Sequence, residues 1–177
     1  MKQLAIINLN KVLPDKTKDW RFRRAVRAVI LDDEKRIAIL HVTKHNYHKL
    51  PGGGIEKNED EITALNRESL EEAGCQIEIT SQIGSILEYK DQWKIKQESF
   101  CYLAKIIGQK QQPEFTDEEL VDGFKLLWVD LDTAIKLVES DQPDIYEGQI
   151  INARDLTFLQ EVKKIINHSR HSYKFVN

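Results

Sequence analysis

Glu68, Glu71 and Glu72 fall within five consecutive residues of a segment whose apolar positions recur at helical spacing. At about 100° per residue the three carboxylates share one side of that helix. So close together they repel one another, and unless something neutralises them their proton affinities rise or the helix weakens. A hard divalent cation is the natural partner, because Mg²⁺ takes oxygen ligands and keeps waters and phosphate oxygens around it. Just upstream lies Leu50-Pro51-Gly52-Gly53-Gly54. Three successive glycines imply close backbone approach, positive φ or both. Their N–H groups and a carbonyl can meet a phosphate–metal assembly. Metal-assisted attack of water on a phosphoanhydride is the chemistry these parts suit. Each part alone has a plainer meaning: a solvated acidic face, a tight turn, and in Arg67 an intrahelical ion-pair partner.

These residues need elements to hold them. Residues 61–73 read as a helix with Asp60 as N-cap and Gly74 as the stop, and Ile62, Leu65, Ser69 and Ala73 line its apolar side. Residues 24–31 and 36–42 read as a hairpin around a polar turn, and 43–49 as a polar loop leading to the glycines. Strands follow over 77–89, 95–107 and 124–129, with a polar loop over 108–122. Asp130 or Asp132 caps a helix over 133–139, and a last helix covers 155–167. Residues 3–9 form a short strand. This order favours a mixed sheet with helices packed on it, as a single domain spanning 1–177. Its core is 22–140, with 1–21 and the helix near 150–168 as extensions.

The bulk composition agrees. Of 177 residues, 41% are hydrophobic and 31% charged, which allows a real core in a water-soluble chain. A net charge of −3 gives no global basic field, which argues against nucleic acid or a membrane as partner. Cys75 and Cys101 form no CxxC, and no apolar run approaches the ~20 residues of a membrane span. A reduced, cytoplasmic setting is the expectation.

From Gly53 the chain runs through five residues to Glu59, seven more, then Arg67-Glu68-Ser69-Leu70-Glu71-Glu72-Ala73-Gly74-Cys75. This resembles the box of the Nudix (MutT-like) hydrolases, G-x5-E-x7-R-E-U-x-E-E-x-G-U, with U a bulky aliphatic. Every glycine and charged position matches, and Ser69 and Cys75 depart at U positions. Ser69 should loosen packing there, with its hydroxyl free to bond the Leu65 carbonyl. The Leu-Pro-Gly-Gly lead-in and Leu127-Trp128-Val129 before a capped helix extend the likeness over most of 24–139. The resemblance implies an α/β/α sandwich with a mixed central sheet. It also implies Mg²⁺-dependent hydrolysis, with Mn²⁺ as a substitute, of a nucleoside diphosphate linked to another group. Glu68, Glu71 and Glu72 would then be metal ligands, one of them orienting or deprotonating water. Gly52 or Gly53 would give a carbonyl ligand or a phosphate contact, with Gly54 beside them. Arg67 would hold the glutamates and pair with Glu59, and Glu118 or Glu119 would add a carboxylate from the downstream loop. Those two could equally start a short helix.

The substrate is read as a small nucleotide of the ADP-ribose or nucleoside triphosphate type, oxidised forms included. Tyr47 and His48 precede the glycines and could line its pocket. His41, His45 and His48 span a strand end and a loop, which argues against zinc. Arg21, Arg23, Arg24 and Arg27 form a basic patch that could meet phosphates, though a solvated strand face is the plainer reading. A homodimer is left open. The alternative to an enzyme is a nucleotide sensor on the same fold without turnover. The intact glutamates count against it. A structural domain with an acidic surface helix is the third reading.

Overall fold

A computed structural model of the chain describes residues 1–172. Its middle layer is a seven-stranded mixed sheet of β1 (Gln3–Ile7), β2 (Arg21–Leu31), β3 (Ile37–Val42), β4 (Tyr47–Lys49), β5 (Gln76–Lys90), β6 (Ile95–Ile107) and β7 (Phe124–Val129). The order is β1-β5-β6-β2-β3-β4, with β7 on β3. β1 runs parallel to β5 and β2 to β6, and the other pairs are antiparallel.

Helix α1 (Glu61–Ala73) covers one face of this sheet. Alternate residues of β2, Val26, Ala28 and Ile30, point to it, as the period-2 rule requires. Small residues on both sides, Ala28, Ala38 and Ala104 against Ala64 and Ala73, let the helix lie close. Its ends are set locally. The Asp60 carboxylate accepts from Thr63 N–H at 2.8 Å, and Gly74 turns left-handed at φ +60° so that its N–H bonds the Leu70 carbonyl. Helices α3 (Leu131–Ser140) and α4 (Tyr146–Ser172) cover the opposite face. There Phe158, Leu159 and Val162 are wholly buried against Val29, Ile86 and Cys101, each large side chain contributing roughly 1.5–3 kcal/mol. The expected α/β/α sandwich is the fold observed. Among the described residues no helix is long and apolar enough to cross a membrane.

Several elements differ from the sequence reading. Residues 47–49 form a strand rather than a polar loop, because their polar side chains are buried on partners instead of solvated. The loop expected over 108–122 contains α2 (Asp117–Val121), closed by a capping box between Thr116 and Glu119. β2 begins at Arg21, where it pairs with Ile95 of β6. α4 starts at Tyr146, earlier than expected, and Gly148 lets it pass the Tyr47 ring, which an added Cβ would meet at 2.9 Å. The terminal segments expected as extensions are built into the sandwich, β1 as a sheet strand and α4 as a cover for one face. Ser69 is buried, but its hydroxyl has no partner, so the expected bond to Leu65 is absent. Cys75 packs under α1 and Cys101 under α4, on opposite faces of the sheet, and both are free thiols.

Candidate active site

β2 and β3 pair only through Leu31 and Ile37, and then diverge. The glycine segment takes the vacated edge of β2. Ala28 N–H donates to the Pro51 carbonyl at 3.0 Å, Val26 N–H to Gly53 at 2.9 Å, and Ile55 N–H to Arg24 at 3.0 Å. Gly52 must be glycine twice over: its φ is +136°, and a Cβ would run into the Val26 carbonyl. Gly53 answers a different need. A Cβ there would enter the space held by the Glu68 carboxylate, with Oε2 at 2.6 Å.

Opposite this turn α1 presents Glu68 and Glu72, both buried. Glu72 accepts from Gly52 N–H and from the Lys49 ammonium, each at 2.6 Å. Burial pushes its pKa up to about 7, although Lys49 and the Gly52 N–H both pull the other way. Glu68 is held by Arg67 Nη1 at 2.9 Å. The same guanidinium grips both oxygens of Glu59 at 2.9 and 3.1 Å, the Gly54 carbonyl at 3.1 Å and Glu71 at 3.0 Å. This bond with Glu59 raises the Arg67 pKa and is the largest cause holding Glu59 below the usual carboxylate range. Glu71 is turned outward, 45% exposed, and lies outside the cleft lining.

The cleft between glycine turn and α1 holds about 350 Å³. Gly52, Gly53, Gly54, Tyr47, Glu68 and Glu72 line it, and α2 brings Glu118 and Glu119 to its far rim. The Glu119 carboxylate accepts from Thr116 N–H at 2.8 Å, so it serves as a helix cap in this arrangement. His48 is not in the cleft. Its ring bonds Asp141 at 2.8 Å and stacks on His41 at 4.3 Å.

The donor set suits a hard divalent cation: carboxylate oxygens of Glu68 and Glu72 beside peptide groups, with no sulfur or imidazole. The room that a Cβ on Gly53 would fill lies on the carboxylate itself. Among the described residues no three acidic, His or Cys side chains already converge as a metal site. Instead Lys49 and Arg67 neutralise the two glutamates.

Sequence reasoning missed Lys49 and Lys90 in the cleft, and preferred a solvated face for Arg23 and Arg27. Arg23, Arg27, Lys49 and Lys90 all line it. Arg23 and Arg27 stand four residues apart on a strand, hence on one face, and that spacing was the available signal. Arg21, Arg23 and Arg24 are exposed, as the solvated reading expects, whereas Arg27 is only 6% exposed. Also unseen was a wholly buried network beneath the cleft. Arg154 clasps Asp155 at 2.7 and 3.0 Å, and Asp155 accepts from Leu50 N–H at 2.9 Å, which ties α4 to the start of the glycine turn. Glu88 lies 3.7 Å from Arg154 and accepts from Gln97 and Ser99.

A helix carboxylate pair facing glycine backbone across a polar cleft, on an α/β/α sandwich, defines a hydrolase class that handles phosphate-rich substrates. The family model described as NUDIX domain matches residues 21–149, and the chain belongs to the Nudix family, hydrolases acting on pyrophosphate bonds. It is similar to proteins named RNA pyrophosphohydrolase from Bartonella henselae (26% identical, covering 96% of this chain and 98% of that one) and from Pelagibacter ubique (24%, covering 82% and 94%). Among solved structures its fold resembles a MutT protein from Methanosarcina mazei Go1 (TM-score 0.59, 14% identical, covering 82% and 96%). It also resembles the C. elegans Ap4A hydrolase (TM-score 0.58, 17% identical, covering 82% and 98%).

Proposed function

We propose that the protein is a Mg²⁺-dependent pyrophosphohydrolase that cuts the diphosphate of a nucleoside diphosphate linked to another moiety, with Mn²⁺ able to replace Mg²⁺. The reading rests on one observation: Glu68 and Glu72 face the Gly52–Gly53 backbone across the cleft, with Glu72 bonded to Gly52 N–H. Glu68, Glu72 and, after a side-chain rotation, Glu71 would hold the ion. A bound divalent ion would neutralise phosphate charge and make water more acidic. The chain's own groups do the rest. Gly53 leaves the carboxylates room, and the backbone beside it is a contact for phosphate oxygens. Arg67 keeps Glu68 in place. Lys49 supplies a positive charge at Glu72 that can turn to a phosphate oxygen. One of Glu68, Glu71 and Glu72 would orient or deprotonate the attacking water. Tyr47 lines the wall, and Glu118 and Glu119 offer additional carboxylates.

The partner is a small nucleotide in a cytoplasmic setting. The name of the relatives, RNA pyrophosphohydrolase, adds an RNA that carries a pyrophosphate bond to the candidates, although the net charge of −3 argues for a small molecule. The test is product release from nucleoside triphosphates, an oxidised nucleotide, ADP-ribose and such an RNA, with Mg²⁺ and with chelator. Turnover that needs the metal and disappears in Glu72→Gln supports the enzyme. Nucleotide binding without turnover under any divalent ion would mean a sensor and overturn this reading.

A further inference from the structure

The four cations of the cleft are not equivalent. Lys49 is neutralised by Glu72 at 2.6 Å, and Lys90 by Glu147 at 3.3 Å with Glu88 at 3.9 Å. Arg23 and Arg27 have no carboxylate within 4 Å among the described residues, and each bonds only neutral acceptors. Arg23 Nη1 donates to the Gln97 amide oxygen at 3.0 Å, and its guanidinium lies against Gly54, 2.6 Å from where a Cβ would stand. Arg27 Nη1 donates to the Gly53 carbonyl at 3.2 Å and to the Val26 carbonyl, while its buried Nε–H has no acceptor at all. Thus the two heads meet successive residues of the glycine turn, opposite the glutamates. Arg27 is almost wholly buried, and burial pulls its pKa down to about 10. Arg154 lowers it further, while the carboxylates of Asp155, Glu88 and Glu72, none of them in contact, raise it.

A buried guanidinium such as Arg27, which touches no carboxylate and leaves an N–H without an acceptor, gains from an anion that reaches it. Guanidinium forks match phosphate oxygens, and such charge-assisted bonds are among the strong ones. Glu118 and Glu119 also line the cleft and repel a negative group, which the arginines attract. Charge then discriminates among substrates. A doubly esterified internal diphosphate carries about one negative charge per phosphate, which divalent ions on the glutamates would neutralise. A terminal phosphate monoester adds about −1.5 to −2.

Building on the diphosphate-hydrolase reading, we propose that Arg23 and Arg27 form a site for the unesterified terminal phosphate of a triphosphate chain. The substrate class is therefore terminal triphosphates, free or at the 5′ end of an oligonucleotide, in preference to ADP-ribose-type diphosphates. Gln97, fixed by buried Glu88 and Ser99, is the positioning residue that aims Arg23.

Two measurements on the full chain test this. The first is calorimetric binding of inorganic tripolyphosphate with chelator present, where no hydrolysis intervenes. The second is the ratio of kcat/KM for GTP to that for ADP-ribose with Mg²⁺. Wild type should bind tripolyphosphate without metal, and Arg23→Gln should weaken it about ten-fold and lower the ratio about ten-fold, the usual scale for losing one charge-assisted bond. Arg27→Lys, which keeps the charge and loses the fork, should give a smaller loss of both, with a melting curve confirming the fold. A 5′-triphosphorylated oligoribonucleotide run beside GTP identifies the source of the triphosphate, since both need Arg23. Unchanged tripolyphosphate binding or an unchanged ratio in Arg23→Gln overturns the site while leaving diphosphate hydrolysis standing. Arginine-dependent binding without turnover of any substrate would instead overturn the hydrolase reading and leave the site standing.

Discussion

Two charged clusters hold the glycine turn from opposite sides, and they differ in almost every respect. Arg67 with Glu59, Glu68 and Glu71 is drawn from thirteen consecutive residues, and its guanidinium is 27% exposed. Arg154, Asp155 and Glu88 come from α4 and β5, 105 positions separate Asp155 from the Leu50 it holds, and all three side chains are fully buried. On the proposed function the carboxylates of the first cluster would change partners when an ion and a substrate arrive, so access to water and movable bonds would be useful there. The second has no reacting partner. Being buried, it gains little stability over an apolar core, but removing one member leaves an uncompensated charge. Its use is to fix where the turn begins. A partly exposed half is thus set against a buried half, with Gly52–Gly54 between them.

The largest expected effect tests the partly exposed half at its centre. Glu68→Gln and Glu72→Gln should each lower kcat/KM by about 10²–10³-fold or more, the scale of losing a principal electrostatic group, with little change in thermal midpoint for Glu68→Gln. Equal activity in both variants would remove the carboxylates from the chemistry. The buried half should fail differently. Asp155→Ala leaves Arg154 buried without its partner and Leu50 N–H without an acceptor, and should cost about 3–5 kcal/mol in urea denaturation. The double change Arg154→Met/Asp155→Leu should cost much less than Asp155→Ala. If it costs more, the pair stabilises the fold in its own right and the contrast drawn above is wrong. Intermediate in size is Arg67→Gln, which should weaken Mg²⁺ binding about 10–100-fold by loosening Glu68 and Glu71, as measured by titration calorimetry. Gly53→Ala should leave the melting curve nearly unchanged, since φ at Gly53 is not positive, yet reduce kcat about ten-fold by displacing the Glu68 carboxylate.

The smallest effect is an acid one. The Glu59 pKa is held below its ordinary value in the folded chain, first by Arg67. Its stabilising contribution is therefore fully present above about pH 4.3, the unfolded value, and is lost as pH falls through the folded value. Urea midpoints at neutral and acid pH should show Glu59→Gln less acid-sensitive than wild type. Equal sensitivity would mean that the Arg67 pairing does not persist in solution.

The contrast between the clusters also explains what could be read from the sequence. α1, its Asp60 and Gly74 ends and the Arg67–Glu59 spacing are local, so periodicity and capping chemistry reveal them. Lys49 and His48 were taken for loop residues because their partners, Glu72 and Asp141, lie 23 and 93 positions away. The start of α4 was hidden because buried Arg154 and Asp155 interrupt its apolar stripe. Arg27 looked like one of four solvated arginines, and only the divergence of β3 from β2 places it under the glycine turn. Glu71 illustrates the converse: its spacing groups it with Glu68 and Glu72, but its side chain is 45% exposed and lies outside the cleft lining.

Manganese titration followed by electron paramagnetic resonance most directly tests whether the Glu68–Glu72 pair and the glycine turn hold a divalent ion. Wild type should take up Mn²⁺ that Mg²⁺ displaces, and Glu68→Gln/Glu72→Gln, folded by its melting curve, should leave Mn²⁺ free in solution. Uptake by the double variant equal to that of wild type would contradict the site at its foundation.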